Sequence, residues 1–168
     1  MVTGQTLALA AFYAGLVSTA LPTYGIEQRG GSANITVVIS DQEIASPVAD
    51  HPDVVLAMSL PAATRYMSAV RPGGCILMNS SQIPEDVTRD DIQVLRIPCD
   101  EMALELGSMK TSNIIMMGAY VGYTGVLDVE TVAAVMNKKL SKKPEFAQMN
   151  AAALQAGYEI GLAAKNDR

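Results

Sequence analysis

The chain has no tryptophan, two phenylalanines and a single histidine in 168 residues. So poor in aromatics, its interior has to be built from Ala, Val, Ile, Leu and ten Met, the last of which adapts to irregular gaps. Charge is sparse as well: 12 Lys and Arg against 17 Asp and Glu leave a formal net charge of −5. That balance excludes the clustered cationic footprint of a nucleic-acid binder. The basic cluster Lys138, Lys139, Lys142 and Lys143 falls at the end of a helical pattern, where cations complement the helix dipole. The two cysteines, Cys75 and Cys99, stand apart in apolar surroundings with no Cys-x-x-Cys pair. With one His they assemble neither a zinc site nor an iron–sulfur cluster, and free thiols fit a reducing compartment. No signal peptide is evident. The longest apolar run, 114–127, is interrupted by Gly118, Gly122 and Gly125 and is too short to span a bilayer. The expectation is a soluble cytoplasmic protein without membrane or nucleic-acid partners.

What is present reads as one α/β domain over residues 1–168. Nearly half of the residues are apolar, and at this length a chain buries roughly 70% of its unfolded surface. A helix is predicted over 5–16, a short apolar run over 17–21, a Gly-rich polar loop over 22–31 and a strand over 32–40. The continuous apolar run 53–59 and the segment 75–78 read as strands covered on both faces, with a helix over 61–70 between them. Pro61 sits in that helix's first turn, where a missing N–H costs nothing. A strand over 92–97 and a short helix over 100–106 follow. The last third is helical, with segments 112–123, 129–140 and 144–165. The first of these is apolar nearly all round, which places it in the interior or at an interface. Asp128 is placed to cap the second. This alternation predicts a three-layer α/β/α sandwich with a largely parallel sheet and a helical C-terminal third. In such sheets ligands bind beyond the carboxyl ends of the strands.

Three segments have the chemistry of a binding site. Tyr24-Gly25-Ile26-Glu27-Gln28-Arg29-Gly30-Gly31 lies between a strand-like run and a strand. Gly30 and Gly31 admit positive φ and close approach of a ligand to the main chain, where consecutive N–H groups form an anion nest. Arg29 can add a bidentate phosphate contact. A solvated turn with Glu27 and Arg29 neutralising each other explains the same residues. Lys110-Thr111-Ser112-Asn113 opens the apolar helix, so amides and dipole there suit an anion, while ordinary capping by Thr111 or Ser112 is the alternative. Asn79-Ser80-Ser81 ends a buried strand and is either a ligand contact or a polar terminus. His51, in Asp50-His51-Pro52-Asp53, reads as a solvated turn residue. There is no Gly-x-Ser-x-Gly elbow, His-Glu-x-x-His pair or Walker loop. The residues by themselves describe a binding domain with an anion-friendly loop and no catalytic residues.

The run 24–31, continued by Ser32-Ala33-Asn34, resembles the Tyr-Gly-Pro-Glu-x-Arg-Gly-Gly-x-Ala-Asn signature of gamma subunits of 2-oxoacid:ferredoxin oxidoreductases. The resemblance continues in order through Val37-Val38-Ile39-Ser40-Asp41, Arg71-Pro72-Gly73-Gly74, Asn79-Ser80-Ser81, Glu105-Leu106-Gly107 and Asn113-Ile114-Ile115-Met116-Met117-Gly118. It implies one part of an enzyme that oxidatively decarboxylates a 2-oxoacid on thiamine diphosphate to an acyl-CoA, passing electrons through iron–sulfur clusters to ferredoxin. Thiamine diphosphate, Mg and the clusters would then belong to partner alpha, beta and ferredoxin-like delta subunits. This chain would cap the active site and hold coenzyme A. The motif positions carried over as binding residues are Tyr24, Glu27, Arg29, Gly30, Gly31 and Asn113, with no catalytic or metal-binding residue on this chain. The segment Gly-Gly-Ser-Ala-Asn followed by Thr-Val-Val-Ile-Ser-Asp looks closest to the 2-oxoglutarate type.

Two departures from the family pattern carry expectations. Ile26 replaces the usual Pro, which loosens the loop. Family members begin with a strand and Gly-x-Gly-Gly-Gln-Gly, whereas this sequence starts with Met1-Val2-Thr3-Gly4-Gln5 where that loop ends. An unpaired strand edge or a gap within the sheet is therefore expected. Two other classes compete with the enzyme subunit: a stand-alone nucleotide-binding or regulatory α/β domain, and a structural assembly subunit without a ligand.

Overall fold

The structure, a computed structural model, describes residues 1–25, 33–140 and 144–167. Helix α1 (Val2–Tyr13) leads into an antiparallel ribbon of β1 (Val17–Tyr24) and β2 (Ala33–Ser40), paired from Val17 with Ser40 to Tyr24 with Ala33. A second sheet of three parallel strands follows: β3 (Val54–Ala57), β4 (Cys75–Asn79) and β5 (Gln93–Ile97), with β4 in the middle. Between β3 and β4 runs α2 (Leu60–Tyr66), closed by the 3₁₀ turn Met67–Ala69. After β5 come α3 (Cys99–Glu105), the 3₁₀ turn Met109–Thr111, α4 (Ser112–Thr124), α5 (Val129–Leu140) and α6 (Pro144–Asn166).

The α/β class, the parallel sheet and the helical last third agree with the sequence expectation. Side chains of β4 alternate between two cores, as a strand covered on both faces must. Cys75 and Leu77 pack with α4 and α6, while Ile76 and Met78 pack with Ala63 and Val70 on the α2 side. The strands divide into two sheets, so the gap expected within the sheet is present. One feature differs from expectation. The run 17–21 is not an isolated apolar stretch but a full strand reaching Tyr24, so residues 22–24 are strand rather than loop. Pairing with β2 brings this about, and Pro22 is tolerated because a ribbon strand has one side free of ladder partners.

The helical layer is held by close approach. A Cβ on Gly118 would lie 2.1 Å from the Leu154 carbonyl oxygen, and one on Gly122 would lie 2.2 Å from that of Tyr158. Reciprocally, Gly157 and Gly161 face the carbonyls of Ile115 and Ala119 at 1.9 and 2.1 Å. As numbers rise along α4 they rise along α6, so the two helices run parallel, with α5 carrying the chain back. The seam explains why α4 is apolar all round: Ile115, Met116, Met117 and Val121 are buried within this protein. The apolar surface of α4, which the sequence placed in the interior or at an interface, is thus in large part covered by α6. Gly125 ends α4 in the left-handed conformation (φ 64°), which favours glycine.

Candidate functional site

The carboxyl ends of β4 and β5 meet the starts of α3 and α4 around one carboxylate. Asp100 Oδ1 accepts from Asn79 Nδ2 (2.9 Å) and Ser112 Oγ (2.6 Å), and Oδ2 accepts from Gln82 Nε2 (2.6 Å). Asn79 is 1% exposed, and its Oδ1 accepts the backbone N–H groups of Cys99 and Ser81. Desolvation pushes the Asp100 carboxyl up, but the donors Ser112, Gln82 and Asn79 outweigh it and hold the group below the ordinary aspartate range. The same burial, with Asp100 alongside, pushes the Cys99 thiol up to about 12, which leaves it without nucleophilic character near neutrality. Asn79-Ser80-Ser81 therefore has a structural use: Asn79 is spent on the chain itself, and the Ser81 hydroxyl accepts the Asp100 N–H.

The start of α4 also differs from expectation. Neither Thr111 nor Ser112 caps it with a side chain. Thr111 Oγ1 donates to the Ser108 carbonyl, and Ser112 is committed to Asp100. The helical path begins one turn earlier, where Ser108 Oγ accepts the Lys110 N–H at 3.3 Å. Asn113 is exposed in the first turn of α4, and its carbonyl accepts from Thr3 Oγ1 at 3.4 Å. On the next residue of α1, a Cβ built on Gly4 would come within 2.5 Å of Ile35 Cγ2 and 3.1 Å of Val37 Cγ2, so α1 lies directly on β2. The first turn of α1 thus touches both the start of α4 and β2, the strand that follows the glycine-rich loop in the chain.

Tyr24, the last residue of β1, is 68% exposed and pairs with Ala33. Glu27, Arg29, Gly30 and Gly31 lie outside the described residues. A contact that sequence reasoning missed ties the loop's far end: Asn34 Nδ2 donates to Tyr66 Oη at 2.7 Å, and the Arg65 guanidinium stands 5.4 Å from that ring. Asn34 belongs to the recognised run, but nothing local in the sequence points to a tyrosine 32 residues away. His51 is exposed, as expected of a turn residue. Among the described residues no three His, Cys, Asp or Glu come together to hold a metal ion. No described helix is long and apolar enough to cross a membrane.

Two other arginines are structural. Arg96 donates to the carbonyls of Pro84 (3.0 Å), Glu85 (2.8 Å) and Val87 (2.7 Å), folding the loop after β4 around its guanidinium. Arg89 binds the carbonyls of Met67 and Val70 and pairs with Asp91. A shallow depression of about 340 Å³ between α2 and this loop, lined by Thr64, Ser68, Asp86 and Arg89, thus has its guanidinium already engaged.

Comparison with known proteins matches residues 1–160 to the family described as pyruvate ferredoxin/flavodoxin oxidoreductase. The 2-oxoglutarate synthase subunit KorC of Methanothermobacter marburgensis is 34% identical over 157 residues, 90% of this chain and 83% of that protein. The ketoisovalerate oxidoreductase subunit VorA of Methanothermobacter thermautotrophicus is also 34% identical, over 93% of this chain. The chain spans only about a third (32%) of the length of that relative. Among solved structures, a keto/oxoacid ferredoxin oxidoreductase gamma subunit from Geobacter sulfurreducens superposes with a TM-score of 0.77 at 28% identity, covering 96% of this chain and 90% of that one. A 2-oxoglutarate:ferredoxin oxidoreductase from Magnetococcus marinus, with 2-oxoglutarate, coenzyme A and succinyl-CoA bound, gives 0.85 at 21% identity over 97% of this chain and 29% of that one, a likeness of fold.

Proposed function

Because the chain belongs to the pyruvate ferredoxin/flavodoxin oxidoreductase family, we propose that it is the gamma-type subunit of a cytoplasmic 2-oxoacid:ferredoxin oxidoreductase. In this reading it holds coenzyme A and covers an active site carried by alpha and beta subunits, with a ferredoxin-like delta subunit and ferredoxin taking the electrons. Thiamine diphosphate, with Mg, supplies the decarboxylation chemistry and iron–sulfur clusters the electron path, all on the partners. This chain's own contribution is to bind and to exclude water. The substrate is 2-oxoglutarate, a choice supported by KorC and left in competition with branched-chain 2-oxoacids by VorA at equal identity.

One observation carries the reading. The N-terminal turn of α1 touches both the start of α4 at Asn113 and β2, the strand that follows the Gly30-Gly31 motif in the chain, through the Thr3–Asn113 and Gly4–Ile35 contacts. Main-chain amides at these helix starts suit the phosphates of a CoA tail, and Arg29 of the motif would add a guanidinium. Coenzyme A, named with the Magnetococcus enzyme of the same fold, is the ligand of matching chemistry.

The test is a CoA titration of the assembled enzyme. Arg29→Ala or Asn113→Ala should each raise the CoA requirement about ten- to a hundredfold, the loss of one charge-assisted contact, about 1.5–3 kcal/mol. Unchanged CoA dependence in both variants would favour a scaffold without ligand contact. Purification free of any thiamine- or cluster-bearing partner would favour a stand-alone nucleotide-binding domain.

A further inference from the structure

Helix α1 puts apolar residues where a surface helix normally carries charge. Its buried side, with Leu7, Ala10 and Ala11, joins the main core. Its opposite side recurs at intervals of three and four residues: Val2, Gln5, Leu9, Phe12 and Tyr13. That spacing places them on one helix face. Val2 is 45% exposed, Leu9 36%, Phe12 67% and Tyr13 56%. Phe12 is the more exposed of the chain's two phenylalanines, Phe146 being 42% exposed. The two rings at the end of the stripe are already arranged edge to face, with centroids 5.9 Å apart. Aromatic anchors held in place before binding lose little side-chain freedom on docking.

The stripe has a cationic border. Lys138 Nζ stands 5.9 Å from the Tyr13 ring centroid, and Lys139 Nζ donates to Gln5 Oε1 at 3.2 Å. Both lysines come from the last turn of α5, turned towards α1 rather than left at their own helix end. On a protein of net charge −5, this edge prefers carboxylates. An apolar stripe with one charged rim has the anatomy of a protein interface.

The occupant follows from the lengths of the relatives. The region similar to this chain is 83% of KorC but only 32% of VorA. In VorA the same domain is continuous with a further body of about twice its size, whereas in KorC it makes up most of the subunit. We infer that the outer face of α1 docks on the partner subunit corresponding to the remaining two thirds of VorA, through a groove that is apolar at its centre and carries carboxylates opposite Lys138 and Lys139. This inference rests on the proposed reading of the chain as an enzyme subunit.

The test uses the co-expressed, assembled complex with p-benzoylphenylalanine in place of Phe12. Irradiation should give one covalent adduct with that large partner subunit, located by mass spectrometry, and none from the same probe at Glu159 on α6. The double variant Leu9→Glu, Phe12→Glu should lower recovery of the complex at least tenfold, while the circular dichroism spectrum and melting temperature of the chain stay as in the wild type. Three results overturn the inference: full assembly of the double variant, an adduct only with a second copy of this chain, or an intact complex that gives no adduct. The failure of the subunit reading looks different. There, the unmodified chain purifies with no thiamine- or cluster-bearing partner, and both proposals fall together. Loss of the adduct from an intact complex removes only the docking face.

Discussion

Between α4 and α6 there is no room for a methyl group, whereas on the outer face of α1 a phenylalanine ring stands two thirds in solvent. Both regions are apolar helices, and composition does not separate them. What separates them is whether the chain supplies the complementary surface. α6 brings Gly157 and Gly161 to the carbonyls of α4, so two backbones meet and the seam is complete within one polypeptide. No described element covers the outer stripe of α1, and the ribbon that α1 rests on stays half-exposed. An apolar helix therefore reports burial only when its partner is known.

The sharpest way to break this comparison is Gly157→Ala, which sets a Cβ 1.9 Å from the Ile115 carbonyl oxygen. The backbones would have to part, at a cost of about 3 kcal/mol or more. The melting temperature should fall by roughly 6–12 °C for a domain of this size. A melting curve unchanged in this variant would mean that the seam is looser than described.

Next in size is Arg96→Ala, which strips the loop after β4 of its donor to the carbonyls of Pro84, Glu85 and Val87. Urea titration should show a loss of about 2 kcal/mol, with limited proteolysis beginning between residues 80 and 90. Arg96→Lys should recover little of it, since an ammonium cannot fork between several acceptors. Full recovery by lysine would reduce the guanidinium to a mere charge.

A smaller effect is expected from Asp100, which binds Ser112 at the start of α4. Its folded-state carboxyl titrates below the ordinary aspartate value, so the folded state binds its proton less readily than the unfolded one. Its stabilisation is present above the unfolded value near 3.9 and is lost as pH falls through the lowered folded value. Asp100→Asn should flatten that part of the acid-unfolding profile, measured by circular dichroism between pH 2 and 5 (roughly the span of these titrations). A profile as steep as the wild type's would assign the acid transition to other carboxylates.

The smallest change should come from Phe12→Ser. The ring is mostly solvated already, so the stability of the isolated chain should move by less than about 0.5 kcal/mol in urea titration. A loss comparable to that of Gly157→Ala would show that the stripe packs inside this chain and would erase the contrast.

Much of this was legible in residue order because helices and strands are decided by near neighbours. The 3.6-residue period and the Asp128 cap announced α5, and the cap is present, with Asp128 Oδ1 accepting the Thr131 N–H at 2.8 Å. Apolar runs announced β3, β4 and β5. Asn113 and Tyr24 were legible as motif positions, but the contact of Asn113 with the first turn of α1 was not, because it depends on Thr3 from the other end of the chain. The expectation that Thr111 or Ser112 caps α4 failed for the same reason. A carboxylate brought in on α3 offers Ser112 a charged acceptor that outcompetes its own helix's amides.

Alone, the order of residues determined the α/β class, the alternation of covered strands with helices, the absence of a cysteine framework and the acidic balance, since each follows from composition or from contacts a few residues apart. Tertiary structure decided that the strands divide into a ribbon and a parallel sheet, that the glycines of α4 meet those of α6, that Asp100 gathers three side chains and that α1 leaves its aromatic face outside. Those outcomes depend on backbones approaching across tens of residues, and the complementarity of two distant surfaces is written in neither segment separately.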